Sequence, residues 1–343
     1  MRRFSAIAGI SVLIVVLICA AIVYSWTFTP HGRLDVEVAV LLKLVQKMPP
    51  PGSVPAARLR QDVRDALRRF QNRSVPIFHV EDRSIPGPLG NIPLRVYRPR
   101  DEAKLPIVVY YHGGGFTWCD LDTHDGLCRK LSNRSGAIVV SVAYRLAPEH
   151  VFPAAVEDSY AALEWVARMG RELSGDPSRI AVAGDSAGGN LAAVTALKSR
   201  DRNGPKIVLQ VLYYPGMNMA DLRTKSMEDF AEGYFLTRAQ AQFNYNQYVP
   251  AAADRSLPYV SPLLAPDHRG LPPALIITAA FDPLRDSQEA YARKLADAGV
   301  PTHISRYDGV VHGFLSFPFV RKADRAIDES AAALREAFGR NSF

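Results

Sequence analysis

Apolar residues along this chain come in two rhythms. Short unbroken runs at 107–111, 137–142, 180–183, 207–214, 274–278 and 303–307 read as strands buried on both faces. Between most of them, apolar positions recur every three to four residues, most clearly at 160–169, 287–298 and 321–338, and these read as helices. Two earlier runs, 76–83 and 92–98, form a strand pair around the turn-forming Pro86-Gly87-Pro88. Continuous apolar strands separated by helices predict an α/β fold, a mostly parallel central sheet covered by helices on both faces. The interval 215–265 breaks the alternation with Met217, Met219, Phe230, Tyr234, Phe235, Phe243, Tyr245 and Tyr248. It reads as an insertion above the sheet, either plainly packed or lining an apolar pocket.

The N-terminal part follows a different pattern. After Arg2 and Arg3, residues 4–26 carry no charge, a run long enough to span a bilayer. Residues 1–28 are therefore expected to be a single-pass membrane anchor, with Tyr24 and Trp26 at the interface and the folded body on the non-cytoplasmic side. Secretion after cleavage near Cys19-Ala20-Ala21 is the alternative. Helical spacing follows at 34–44, then Met48-Pro49-Pro50-Pro51-Gly52 interrupts the chain. A second helix over 56–72 places Leu59, Val63, Leu67 and Phe70 on one face and Arg60, Arg64 and Arg68 on another. The basic face is expected to be solvated; a cap helix beside an active site is the other reading.

Charge sharpens this division. Residues 1–75 hold 11 Lys/Arg against 4 Asp/Glu, so the net +7 resides there and the remainder is balanced. A neutral body excludes a nucleic-acid surface. Cys19, Cys119 and Cys128 are too few for a disulfide framework or metal cluster; Cys119 and Cys128 read as free thiols, with a bridge between them as the alternative. No His/Cys/Asp grouping has metal-ligand spacing, and the Gly113–Gly115 run lacks the features of a phosphate loop, so no metal and no cofactor are expected.

Candidate chemistry gathers where strands end. Gly184-Asp185-Ser186-Ala187-Gly188-Gly189 joins the 180–183 strand to a small-residue helix, which makes Ser186 the nucleophile on a sharp strand-to-helix turn. His112-Gly113-Gly114-Gly115 follows 107–111, Asp282 follows 274–278, and His312 follows 303–307. The order Ser, Asp, His and the shared position beyond the strand ends suit acyl transfer. Ser186 needs a base, which His312 supplies, and Asp282 orients the imidazole. Backbone amides of Gly113, Gly114 and Ala187 are the expected donors to the oxyanion. Asp286 is an alternative acid and Asp308 lies near His312 in sequence. His112 is expected to brace the glycine loop, while His31, His79, His124, His150, His268 and His303 read as structural.

With these motifs together, the chain resembles the hormone-sensitive-lipase-like esterases, the HGGG branch of the α/β-hydrolases. Tyr144-Arg145-Leu146-Ala147-Pro148-Glu149, Phe152-Pro153-Ala154-Ala155, Asp282-Pro283-Leu284-Arg285-Asp286 and His312-Gly313-Phe314 carry the resemblance further. It departs where Ser287 and Gln288 stand in place of the acidic residue and glycine common in that family. The resemblance implies cap helices at 29–75, a catalytic domain at 76–343 with a cap insertion at 215–260, and a cofactor-free serine esterase acting on short to medium acyl esters. The apolar N-terminus makes it similar to the membrane-anchored, arylacetamide-deacetylase-like type. An amidase, deacetylase or acyltransferase shares the acyl-enzyme, and a non-catalytic small-molecule receptor on the same fold is the alternative from another class.

Overall fold

The computed structural model describes the backbone of residues 2–45, 54–70 and 75–340, and the side chains of 13–45, 54–66 and 75–339. Its elements are α1 (Arg2–Ser25), β1 (Phe28–Thr29), β2 (Gly32–Arg33), α2 (Val36–Val45), α3 (Ala56–Phe70), β3 (His79–Gly87), β4 (Gly90–Arg98), β5 (Leu105–Tyr111), α4 (Asp125–Ser135) and β6 (Ile138–Val142). Then come α5 (Ala154–Met169), β7 (Gly175–Asp185), α6 (Ala187–Asp201), β8 (Gln210–Tyr213), α7 (Lys225–Asp229), α8 (Arg238–Tyr248), β9 (Ala274–Phe281), α9 (Arg285–Asp297), β10 (Thr302–Val311) and α10 (Arg321–Arg340).

The eight-stranded sheet runs β10-β9-β8-β7-β5-β6-β4-β3. All pairs from β10 to β6 are parallel, whereas β4 lies antiparallel to both β6 and β3. The expected α/β architecture is therefore present. Alternate residues of the buried strands serve opposite faces. Ile107, Val109 and Tyr111 pack with α5, α6 and α9, while Val108 and Tyr110 pack with α2, α4 and α10.

Strand limits differ from the apolar runs for identifiable reasons. β7 starts at Gly175 because an isolated pair with β5 forms at Leu105↔Gly175; an irregularity over the polar residues 176–179 follows, and the regular ladder resumes at Ile107↔Ile180. β8 opens only at Gln210; Ile207, Val208 and Leu209 are buried ahead of its ladder. In the β3–β4 hairpin the turn falls between Gly87 and Gly90, because Pro86 still pairs with Asn91. Cys119 and Cys128 are buried free thiols.

The membrane expectation is overturned. Among the described residues, no helix is long and apolar enough to cross a membrane. The single-pass anchor at 1–28 and the localisation drawn from it are corrected accordingly. The expected break at Met48–Gly52 and the side chains of Leu67, Arg68 and Phe70 lie outside the described residues.

The solvated basic face of α3 is also corrected. Arg60 donates to the carbonyls of Thr117 and Ala147, each at 2.8 Å, and pairs with Glu149 at 2.6 Å. Arg64 pairs with Asp120 at 2.6 Å. Both side chains turn toward the body, onto the segments that follow the glycine loop and precede Pro148.

One backbone contact governs the centre of the sheet. A Cβ built on Gly188 would sit 1.9 Å from the carbonyl oxygen of Tyr111, so the first turn of α6 presses directly on the end of β5. Gly188→Ala is expected to lose at least about 4 kcal/mol of unfolding free energy. Gly233→Ala, at a left-handed φ of 85° with open space around it, should lose only about 1–2 kcal/mol. Urea unfolding of the two variants checks this; equal losses would show that the close approach at Gly188 is relieved by local movement.

Candidate active site

Ser186 sits between β7 and α6 with φ 54° and ψ −116°, a conformation that a side chain rarely adopts. Its neighbours enforce it. Gly184 would place a Cβ 2.3 Å from the carbonyl oxygen of Gly188, so only small residues fit two positions to either side of the serine. The Ser186 amide donates to the Tyr213 carbonyl at 2.9 Å, and its own carbonyl accepts from Asn190 and Gly216. The result is a half-buried hydroxyl held above the sheet rim.

The loop after β10 brings His312 to it. His312 Nε2 lies 2.8 Å from Ser186 Oγ, and Nδ1 lies 2.9 Å from Asp282 Oδ2. Asp282 is fully buried at the end of β9. Its Oδ1 accepts the Leu284 amide at 2.8 Å, and its Oδ2 also accepts Gln288 Nε2 at 3.0 Å. An acceptor-only carboxylate fixes the proton of the imidazole on Nδ1, leaving the Nε2 lone pair facing the serine. Asp286 instead accepts from the amide of Ser226, and Asp308 is exposed, so neither alternative acid joins this chain of bonds.

The glycine loop holds a surprise for one expected donor. The Gly113 amide donates to Asp185 Oδ1 at 2.9 Å and is not free for an oxyanion. A Cβ there would also lie 2.4 Å from Asp185 Oδ2, which accounts for the glycine. Gly114 and Gly115 adopt φ of 113° and 58°, and among the described residues no acceptor takes their amides or that of Ala187 at the start of α6. Those three amides are the available donors.

His112 braces the loop as expected. Its Nδ1 donates to the Gly113 carbonyl at 2.7 Å, its ring stacks on Tyr144 at 4.4 Å, and Tyr144 donates to the His112 carbonyl at 2.6 Å. Burial, together with repulsion from His124, lowers its pKa to about 4. Sequence reasoning set His124 aside as structural, yet it lies 3.2 Å from Asp185. The two lie 61 positions apart in the chain, which gives no local signal of that contact.

The 215–265 segment packs against these loops. Tyr248 stacks on Phe116 at 3.8 Å, Phe235 contacts Gly313, and Phe230 and Tyr234 lie against Phe281. Among the described residues no group of three His, Cys, Asp or Glu side chains could hold a metal ion.

A family profile described as alpha/beta hydrolase fold matches residues 108–316. The chain belongs to this alpha/beta-hydrolase family. It is 42% identical to esterase LipI of Mycobacterium tuberculosis, over 86% of this chain and 93% of that protein. It is 35% identical to an ethyl acetate hydrolase of Pseudomonas putida, over 88% and 99%. The solved structure of a hyperthermophilic esterase from the archaeon Pyrobaculum calidifontis superposes with a TM-score of 0.85 at 45% identity, covering 88% of this chain and 98% of that one. The resemblance read from the glycine loop and the Ser186 turn thus holds at the level of the family.

The shift of His112 gives a stability test. The folded state keeps this ring neutral down to about pH 4, whereas the unfolded chain protonates it near 6.5. Its contribution is therefore complete above about pH 6.5, declines as pH falls toward 4, and amounts to about 3 kcal/mol. Urea unfolding between pH 7 and 4 should show a smaller decline in His112→Asn than in the native protein. Identical pH dependence in the two would remove His112 as its source.

Proposed function

We propose that the protein is a serine carboxylesterase that cleaves short to medium acyl esters, with Ser186 as nucleophile, His312 as base and Asp282 as the orienting acid. The observation that carries this reading is the continuous hydrogen-bonded chain from Ser186 Oγ through both nitrogens of His312 to Asp282. The names of the esterase relatives support the same activity.

In the first half-reaction Ser186 Oγ attacks the ester carbonyl carbon and its proton passes to His312 Nε2. The carbonyl π pair moves onto oxygen. Collapse of that intermediate expels the alcohol, which takes the proton from Nε2 and leaves acyl-Ser186. Water then attacks the acyl carbon, gives its proton to Nε2, and the second collapse returns that proton to Ser186 and releases the acid. Asp282 stays ionised throughout and stabilises the imidazolium.

The donors to the negative oxygen are read as Gly114 and Ala187, with Gly115 taking the place first given to Gly113. The α3 helix and the 215–260 segment are read as the cap over Ser186, on the strength of the Arg60 contacts and of Tyr248 and Phe235. An amidase or deacetylase would share the same acyl-enzyme and differ in the bond first cleaved.

Ser186→Ala should fold normally and lose at least about a thousandfold in kcat on aryl esters. Rates over aryl esters of rising acyl length, beside an aryl amide of the same acyl group, measure the substrate range. Turnover retained in Ser186→Ala would refute the nucleophile, and faster cleavage of the amide than of its ester would favour the deacetylase subtype.

A further inference from the structure

Next to the proposed nucleophile lies a buried charge that the reaction itself does not use. Asp185 immediately precedes Ser186, and its Oδ1 takes the Tyr110 hydroxyl at 2.7 Å and the Gly113 amide at 2.9 Å. The Nε2 of His124, also buried, stands 3.2 Å from the same oxygen. A bare carboxylate here would be costly to bury. It would also repel the negative oxygen that the neighbouring residue helps to form.

Each nitrogen of His124 has an acceptor within reach. The Thr123 hydroxyl lies 2.8 Å from the Asp120 carbonyl, an atom that can only accept, so its single proton is committed there. With the hydroxyl proton so directed, His124 Nδ1, 3.0 Å from that same hydroxyl oxygen, is its donor. Nε2 faces a carboxylate, which also only accepts. The approach is too poorly aligned to count as a hydrogen bond, but a lone pair at 3.2 Å from a carboxylate oxygen would be repelled, and an N–H is attracted. A ring protonated on both nitrogens satisfies both positions.

The surroundings agree. Burial pushes the Asp185 carboxyl up, but the proximity of His124, with the Tyr110 hydroxyl, outweighs it and holds it below the ordinary value. The other titratable groups at hand carry no opposing charge: His112, with its ring 5.6 Å away, is neutral at pH 7, and burial pushes the Cys119 thiol and the Tyr110 and Tyr144 hydroxyls far up. Asp120 touches this cluster through its backbone and Thr123 while its carboxylate pairs with Arg64.

We infer that His124 is a positioning residue whose cation neutralises Asp185, so that this carboxylate can hold the Gly113 amide, and with it the donor loop, without opposing the oxyanion at Ser186. The inference rests on the esterase reading above. It goes further in giving the Asp185–His124 pair one task in two parts, anchoring the loop and cancelling the anchor's charge.

The test uses the full chain with an aryl acetate as probe. In His124→Gln, kcat should fall about tenfold to a hundredfold with KM within about twofold, because Asp185 is left as an uncompensated anion. Adding Asp185→Asn to it removes that anion while an amide oxygen still accepts from Gly113, and kcat should recover at least about fivefold over His124→Gln. A role confined to packing predicts the opposite, a double variant as slow as the single one or slower. In the native protein, nitrogen NMR of the ring should show both His124 nitrogens protonated at pH 7, a readout that does not require any variant to fold. A neutral His124 ring, a native kcat in His124→Gln, or a double variant without recovery each overturns the inference. Loss of the Ser186 dependence itself would instead remove the esterase reading on which it stands.

Discussion

The main-chain contact between Gly188 and Tyr111 is the constraint from which the site is built. It brings the N-terminal turn of α6 against the carboxyl end of β5, so the serine preceding α6 and the glycine loop following β5 must share one small volume. A strained Ser186 backbone is the local cost of that contact. What offsets it is spread over the burial of β5, β7 and α6, whose residues line both cores of the sheet. The Ser186 hydroxyl thus owes the position from which it meets His312 to main-chain packing.

Burial creates a second demand. The amide-rich loop has to be tethered, and a carboxylate is the strongest acceptor available to do it. Placing Asp185 there introduces charge into a region that should receive charge only during reaction. On this view the cluster of His124, Thr123 and Tyr110 is an electrostatic support for the loop, while Asp282, with Leu284 and Gln288 as its donors, serves the imidazole on the other side of Ser186. Two buried carboxylates flank one hydroxyl, and each is balanced by a histidine in a different way.

Much of this was legible in the residue pattern because periodicity reports burial directly. Runs buried on both faces gave the parallel strands, and the strand ends gave the addresses of Ser186, Asp282 and His312. What stayed hidden were contacts between distant segments. Nothing local at Gly113 announces that its amide goes to Asp185 rather than to substrate, and nothing near His124 announces its partner. Helical spacing separated the arginines of α3 from its apolar face, yet spacing cannot tell a face turned to water from one turned to main-chain carbonyls. The apolar N-terminal run fits a helix in pattern, while its span across a bilayer did not follow from that pattern.

Arg60 has one more implication. A single guanidinium caps the carbonyls of Thr117 and Ala147, which belong to separate segments on either side of β6. Lifting α3 away would therefore strip both oxygens of their donor in one step, so any displacement of this helix is felt at once by the chain leading out of the glycine loop. On the proposed reading of α3 as a cap, admitting a molecule to the site and keeping the site's geometry are opposing requirements, mediated by one planar cation.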